Sequence, residues 1–194
     1  LKKTQYDFLN SIRSKQENLS QYQLEYWESF SSLGTWQFWI IMLFLILPLI
    51  ILFIFIDKNK ALLLGFFGLN YHIWFTYVNF IGTDLALWEY PYQVFPFIPG
   101  FALDASLVPV SFMLLYQWTL NQNKSIYLYS VLLSALLAFI LKPIMVNFHF
   151  FHMYNGINYF HLFLFYLAFF IFSKLITNVF LWLRKKGKQD NVEE

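Results

Sequence analysis

Few side chains in this sequence can carry chemistry, and they are unevenly placed. Asp84 and Glu89 stand five residues apart in G-T-D-L-A-L-W-E-Y-P-Y, Asp104 and Lys142 lie inside apolar stretches, and His149-x-x-His152 is followed by His161. Carboxyl groups can exchange protons with a substrate, which makes Asp84, Glu89 and Asp104 candidate catalytic groups, with Lys142 to stabilise charge. Trp88, Tyr90 and Asn79 offer π faces and hydrogen bonds, and are the candidate substrate-binding residues. Histidines at i, i+3 share a helical face, and a carboxylate would complete a metal set. The spacing matches no strong zinc signature such as H-E-x-x-H, so no metal is expected. His149, His152 and His161 are the candidates should one bind, and otherwise read as interfacial anchors among Phe148, Phe150 and Phe151.

Other chemistries are excluded more simply. No P-loop, G-x-G-x-x-G or G-x-S-x-G occurs, so nucleotide binding and elbow-type serine hydrolysis have no support. The absence of cysteine removes disulfides, thiolate metal sites and cysteine nucleophiles. A net charge of +2 leaves no nucleic-acid footprint, and no cofactor is implied.

These residues must be positioned by elements suited to a bilayer. Of 194 residues, 59% are hydrophobic and only 12% charged, about half the charged share of a soluble domain. The run from Phe38 to Ile56, FWIIMLFLILPLIILFIFI, has the ~20 residues that cross a hydrocarbon core. Pro48 within it is tolerated as a kink. Its length and the lack of a small-residue cleavage pattern after it set it apart from a secretory signal. Four more spans follow at Ala61–Gly82, Phe101–Leu120, Ile126–Val146 and Tyr159–Leu183. The expected fold is therefore an all-α integral membrane protein with five transmembrane helices preceded by an amphipathic interfacial helix. Its divisions are a helical tail over 1–34, the bundle over 35–183 and a charged tail over 184–194.

The tail helix is read from Phe8, Ile12, Leu19, Tyr22, Tyr26 and Phe30, spaced mostly by three and four. Its charges balance, so apolar contact with membrane lipids rather than charge attraction is its expected use. A partner protein or a second copy could also dock there, or on the fourth span, where Ser130, Ser134 and Ala138 recur every four residues. Lys58, Lys60 and Lys124 fall in the first and third connections, Arg184, Lys185, Lys186 and Lys188 follow the last span, and the second and fourth connections carry no Lys or Arg. The excess of basic residues in cytoplasmic loops then places the N-terminus outside and the C-terminus in the cytoplasm of a cell membrane. Asp84, Glu89, Asp104, Lys142, Asn79 and the three later histidines all fall at the extracytoplasmic depth, and the matched depth of Asp104 and Lys142 leads to the expectation of a mutual ion pair. Pro91, Pro96 and Pro99 make the second connection a stiff aromatic flap over it.

With these residues in view, the chain resembles an uncharacterised family of small multi-pass membrane proteins of spore-forming Gram-positive bacteria. The likeness runs from L-E-Y-W at 24–27 to the end of the fifth span. It is carried by D-K-N-K at 57–60, I-G-T-D-L-A-L-W-E-Y-P-Y at 81–92, F-P-F-I-P at 95–99, D-A-S-L-V-P-V at 104–110 and L-L-Y-Q at 114–117. The resemblance implies topology and no activity. Relatives carry acids where Asn79 and Lys142 stand, so an acid pair would be missing here. A remoter likeness is to membrane carotenoid cyclases, through Trp88, Tyr90 and Asp104; their doubled acid has no counterpart.

Two functions are expected from this reading. One is an accessory or assembly component of the envelope or a spore-related process. The other is an intramembrane enzyme acting on a lipid or polyprenoid, with Asp104 or Glu89 as general acid, Lys142 orienting charge, and Trp88 and Tyr90 shielding a cationic intermediate.

Overall fold

The structure, a computed structural model, describes residues 4–190. It is all-helical apart from one two-residue strand pair. Helix α1 (Gln5–Phe30) begins at a capping box, in which Thr4 Oγ1 accepts from Asp7 N and Asp7 Oδ2 accepts from Thr4 N at 2.9 Å. None of its residues is buried. Its C-terminal end is tied down: Trp27 Nε1 donates to the Gln93 carbonyl at 2.9 Å, and Gln93 N donates to Ser31 Oγ at 2.6 Å.

Helix α2 (Trp36–Phe55) starts at Thr35 and contains Pro48. Helix α3 (Ala61–Asp84) follows a tight turn. In that turn Asp57 accepts from Lys60 Nζ at 2.8 Å and from Asn59 N at 3.0 Å. Hydrogen bonding by Lys60 holds the Asp57 carboxyl below the usual carboxylate range. Lys60 also donates to Asn121, and Gln117 bonds both the Phe55 carbonyl and Asp57 N. The D-K-N-K motif thus clamps the first connection to the end of the following helix pair.

The chain then forms strand β1 (Trp88–Glu89), a π-helical turn over Leu103–Leu107 and helix α4 (Val108–Asn121). Helix α5 (Ile126–Leu136) leads through a second π turn, Leu137–Leu141, into α6 (Lys142–Asn147). Strand β2 (His152–Met153) and the long α7 (Tyr159–Asp190) complete the described chain. The strands pair antiparallel, Trp88 opposite Met153 and Glu89 opposite His152.

Among the described residues, four helical stretches are long and apolar enough to cross a membrane: Trp36–Phe55, Ala61–Asp84, Ile126–Asn147 and Tyr159–Gln189. The segment read as the third span is helical too, but it carries Asp104, Ser106, Ser111, Gln117 and Thr119. Its position explains that polarity. α4 and its π turn pack against α2, α3 and α5 at the centre of the bundle, so fewer of its side chains need to face lipid.

The burial pattern is inverted relative to a water-soluble domain. Leu62 is 92% exposed and Phe53 85%, whereas Asp104 and Lys142 are almost fully enclosed. Exposed apolar faces of this size suit a lipid surround. Inside, Tyr71 stacks on Phe112 at 4.5 Å and meets Phe75 and Phe169 edge-on or at steep angles. Such ring pairs contribute about 0.5–1.5 kcal/mol each beyond simple contact area. Ser130, Ser134 and Ala138 are fully buried, so the small-residue face of the fourth span is used inside the chain.

Candidate functional site at the cap end of the bundle

Residues 85–100 and 148–158 fold over one end of the helices, and we call them the cap. Strand alternation sorts the side chains of the first segment: Trp88 and Tyr90 point inward and are buried, while Glu89 between them faces out. Trp88 packs directly against Gly82, where an added Cβ would collide with the indole. Gly100, at φ +70°, lets the chain turn where a Cβ would press on Asn79 and the Tyr90 ring.

Asn79, in the last turns of α3, joins these pieces. Trp88 Nε1 donates to Asn79 Oδ1 at 2.8 Å. Because indole N–H can only donate, this bond fixes which way the amide points. Asn79 Nδ2 then donates to the Pro99 carbonyl at 2.9 Å and to Asp104 Oδ2 at 2.8 Å. One side chain connects both ends of the cap segment to the π turn that precedes α4. The other carboxyl oxygen, Asp104 Oδ1, is buried and has no hydrogen-bond partner.

The two buried charged residues, Asp104 and Lys142, both sit at π turns, and proline accounts for the placement. Val108 N donates back to the Leu103 carbonyl, and Pro109 has no N–H to offer. The Asp104 carbonyl therefore loses its helical donors and accepts instead from His72 Nδ1 at 2.7 Å. The same arrangement recurs where Lys142 N donates to Leu137 O ahead of Pro143. Pro48 likewise offers no N–H to the Phe44 carbonyl within α2, and the neighbouring Leu45 carbonyl accepts from Ser106 Oγ at 2.6 Å.

Lys142 does not meet Asp104 directly. No ion pair between them occurs among the described residues, which corrects the expectation of a contact pair at matched depth. Lys142 Nζ instead lies 3.4 Å from the Phe151 ring centroid and 4.9 Å from that of Tyr90, and donates to Tyr90 Oη at 3.4 Å. Its charge is met by π faces. A cavity of about 20 Å3 adjoins Lys142, Asn79, Trp88, Tyr90 and Tyr166. That is room for about one water molecule. On the far side of Trp88 and Tyr90 lies an open groove of about 720 Å3, walled by Gln16, Leu19 and Tyr26 of α1 and by Asp84, Glu89 and Phe97.

The structure therefore brings Asn79, Trp88, Tyr90, Asp104 and Lys142 together. Asp84 and Glu89 stand apart from them on the groove side. Glu89 Oε1 accepts from Tyr154 Oη at 2.6 Å and from His152 Nδ1 at 3.0 Å. Partial burial raises its carboxyl, but these hydrogen bonds outweigh that and leave it below its ordinary range. Glu89 is then an ionised brace across β1–β2 at neutral pH and not a proton donor. The three histidines do not converge: His161 Nδ1 accepts from Asn158 N in the first turn of α7, away from His149 and His152. No group of three metal-ligating side chains forms among the described residues. Phe151, Gly100 and the two π turns were not singled out from sequence. The turns have a signal there, a proline following each charged position by one or five residues.

The fold and this site define a class, an all-helical protein with apolar helices suited to a multi-pass membrane chain and a polar cluster beneath its cap. No protein family, curated protein or solved structure matches the chain.

Proposed function

We propose that the protein is a five-span protein of the cell membrane, with α1 on the extracytoplasmic face and the C-terminus in the cytoplasm, acting as an accessory or assembly component of the envelope or a spore-related process. The observation that carries this reading is where the buried polar bonds go. Asn79 commits both amide donors and its carbonyl oxygen to holding Trp88, Pro99 and Asp104 together, and Lys142 reaches the cap through Tyr90. A cap locked in this way offers a fixed surface and, between it and α1, a groove open to membrane lipids, a protein partner or a second copy.

One observation favours the second reading, an enzyme using acid catalysis on a lipid or polyprenoid. Asp104 Oδ1 is buried without a partner, as a group reserved for a substrate would be. Against the cationic intermediate stands Lys142, whose ammonium already lies over Tyr90, one of the two π faces that would shield one.

Lipid mass spectrometry separates the two. Membranes of a host supplying the native lipids should give the same profile with wild type and with Asp104→Asn at matched abundance. A species made by wild type and missing from the variant overturns the accessory reading. Topology has its own check, since the sequence has no cysteine. Phe97→Cys and Asn123→Cys, both at exposed positions, should react oppositely with an impermeant maleimide on intact cells. Labelling at 97 and not at 123 is expected; the reverse inverts the topology.

A further inference from the structure

We propose that His149 and His152, braced by Glu89, form a binding site for a divalent transition metal ion of the zinc type on the outer surface of the cap. His149 Nδ1 and His152 Nε2 face each other at 3.4 Å. Two nitrogens bound at ~2.05 Å to one tetrahedral zinc lie about 3.3 Å apart, so the spacing of these two nitrogens already suits a shared metal ion. The second feature is the other nitrogen of His152. Its Nδ1 is 3.0 Å from the Glu89 carboxylate, which accepts a hydrogen bond there, keeps the ring proton on Nδ1 and leaves Nε2 with its lone pair turned to His149. A carboxylate behind a ligating imidazole is the usual way such a ligand is oriented and made more basic. Tyr154 Oη fixes the same carboxylate oxygen.

The backbone serves this geometry. His149 has φ +59°, and Phe150 N returns to the Met145 carbonyl at 2.8 Å. This left-handed turn carries the His149 ring back toward β2, and His is among the side chains that tolerate it. Without metal, His149 Nδ1–H donates to His152 Nε2. Binding moves that proton to His149 Nε2 and presents two lone pairs. With no third ligand side chain converging among the described residues, water completes the coordination. Imidazole donors select zinc, copper(II) or nickel over magnesium. The ion would pin residues 149–152 to β1 through Glu89.

The test uses the full chain without a histidine tag, in lipid nanodiscs, titrated with Zn2+ by calorimetry and with Mg2+ as control. One zinc per chain is expected. His149→Asn, which keeps a residue suited to positive φ, and His152→Ala should each weaken binding at least tenfold, and His161→Ala should leave it unchanged. Glu89→Gln should weaken it roughly tenfold, as loss of a carboxylate behind a ligand does. X-ray absorption at the zinc edge of wild type should count two imidazoles, a readout independent of any variant. Absence of binding, binding that survives both ligand variants, equal loss in His161→Ala, or fewer than two imidazoles overturns the proposal and leaves a histidine–histidine hydrogen bond only.

Discussion

Asn79→Leu is expected to release the cap while leaving the helices assembled. Leucine fills a similar volume but strands three buried groups at once: the Trp88 indole N–H, the Pro99 carbonyl and Asp104 Oδ2. Each buried polar group left unpaired costs about 1–3 kcal/mol. Two of these groups belong to the cap, so the molecule can relieve them by lifting it into water. The helices have no such exit, and the aromatic stack around Tyr71 and Phe112 that joins them does not touch the substituted position. A loss of about 3 kcal/mol shifts cap closure roughly a hundredfold toward open. Hydrogen–deuterium exchange should therefore accelerate across 86–99 by about that factor, with little change in α3, α4 and α7. Unchanged exchange in the cap segment would show that Asn79 does not hold it. Uniform acceleration would show that cap and bundle open as one unit.

Much of the helical architecture is legible in the sequence because the bilayer asks for a crude property, length of apolar run. Trp36–Phe55, Ala61–Asp84, Ile126–Asn147 and Tyr159–Gln189 stand close to the segments read from hydropathy. The ends are less exact: α3 runs to Asp84 and α7 to Asp190, since polar residues beyond a membrane boundary can still continue a helix. Helix α4 is harder to read for the opposite reason. A helix surrounded by others need not be apolar on every face, so Asp104, Ser106 and Thr119 weaken its signal while their burial depends on partners far away in the chain.

The site follows the same division. Asp104 and Lys142 are visible in the sequence because a charge in an apolar run is costly, and Trp88, Tyr90 and Asn79 because they cluster beside them. What links them is not visible. The β1–β2 pairing involves two residues on each side, too few for any alternation to register. The convergence of Asn79 on Pro99 depends on Gly100 at positive φ. The direction in which Lys142 points depends on a π turn that shifts the helix face by one residue, and so the expected contact with Asp104 is replaced by Phe151, nine positions further along.

That replacement makes the relation between Asp104 and Lys142 the most informative energetic question in the molecule. Both are at most 3% exposed, and one small cavity borders both Lys142 and the Asn79 side chain that bonds Asp104. Removing one member of a buried charge pair costs about 3–5 kcal/mol, because its partner is left uncompensated, whereas replacing both by groups of similar shape is often neutral. Lys142→Met keeps an unbranched chain over Phe151 and Tyr90, and Asp104→Asn keeps a group that can bond Asn79. Each alone should lower stability by about 3 kcal/mol, and the double variant should return to within about 1 kcal/mol of wild type. Thermal or denaturant unfolding of all four proteins in one lipid mimic closes the cycle. The size of the coupling decides what kind of contact is present. A lost polar contact inside a membrane is worth about 0.6 kcal/mol on average, far below the several kcal/mol that charge compensation requires. A coupling near the smaller figure would mean that Lys142 is stabilised by the π faces of Phe151 and Tyr90 alone. The larger figure would make the two charges one structural unit joining the π turns that precede α4 and α6, with the cap built over it.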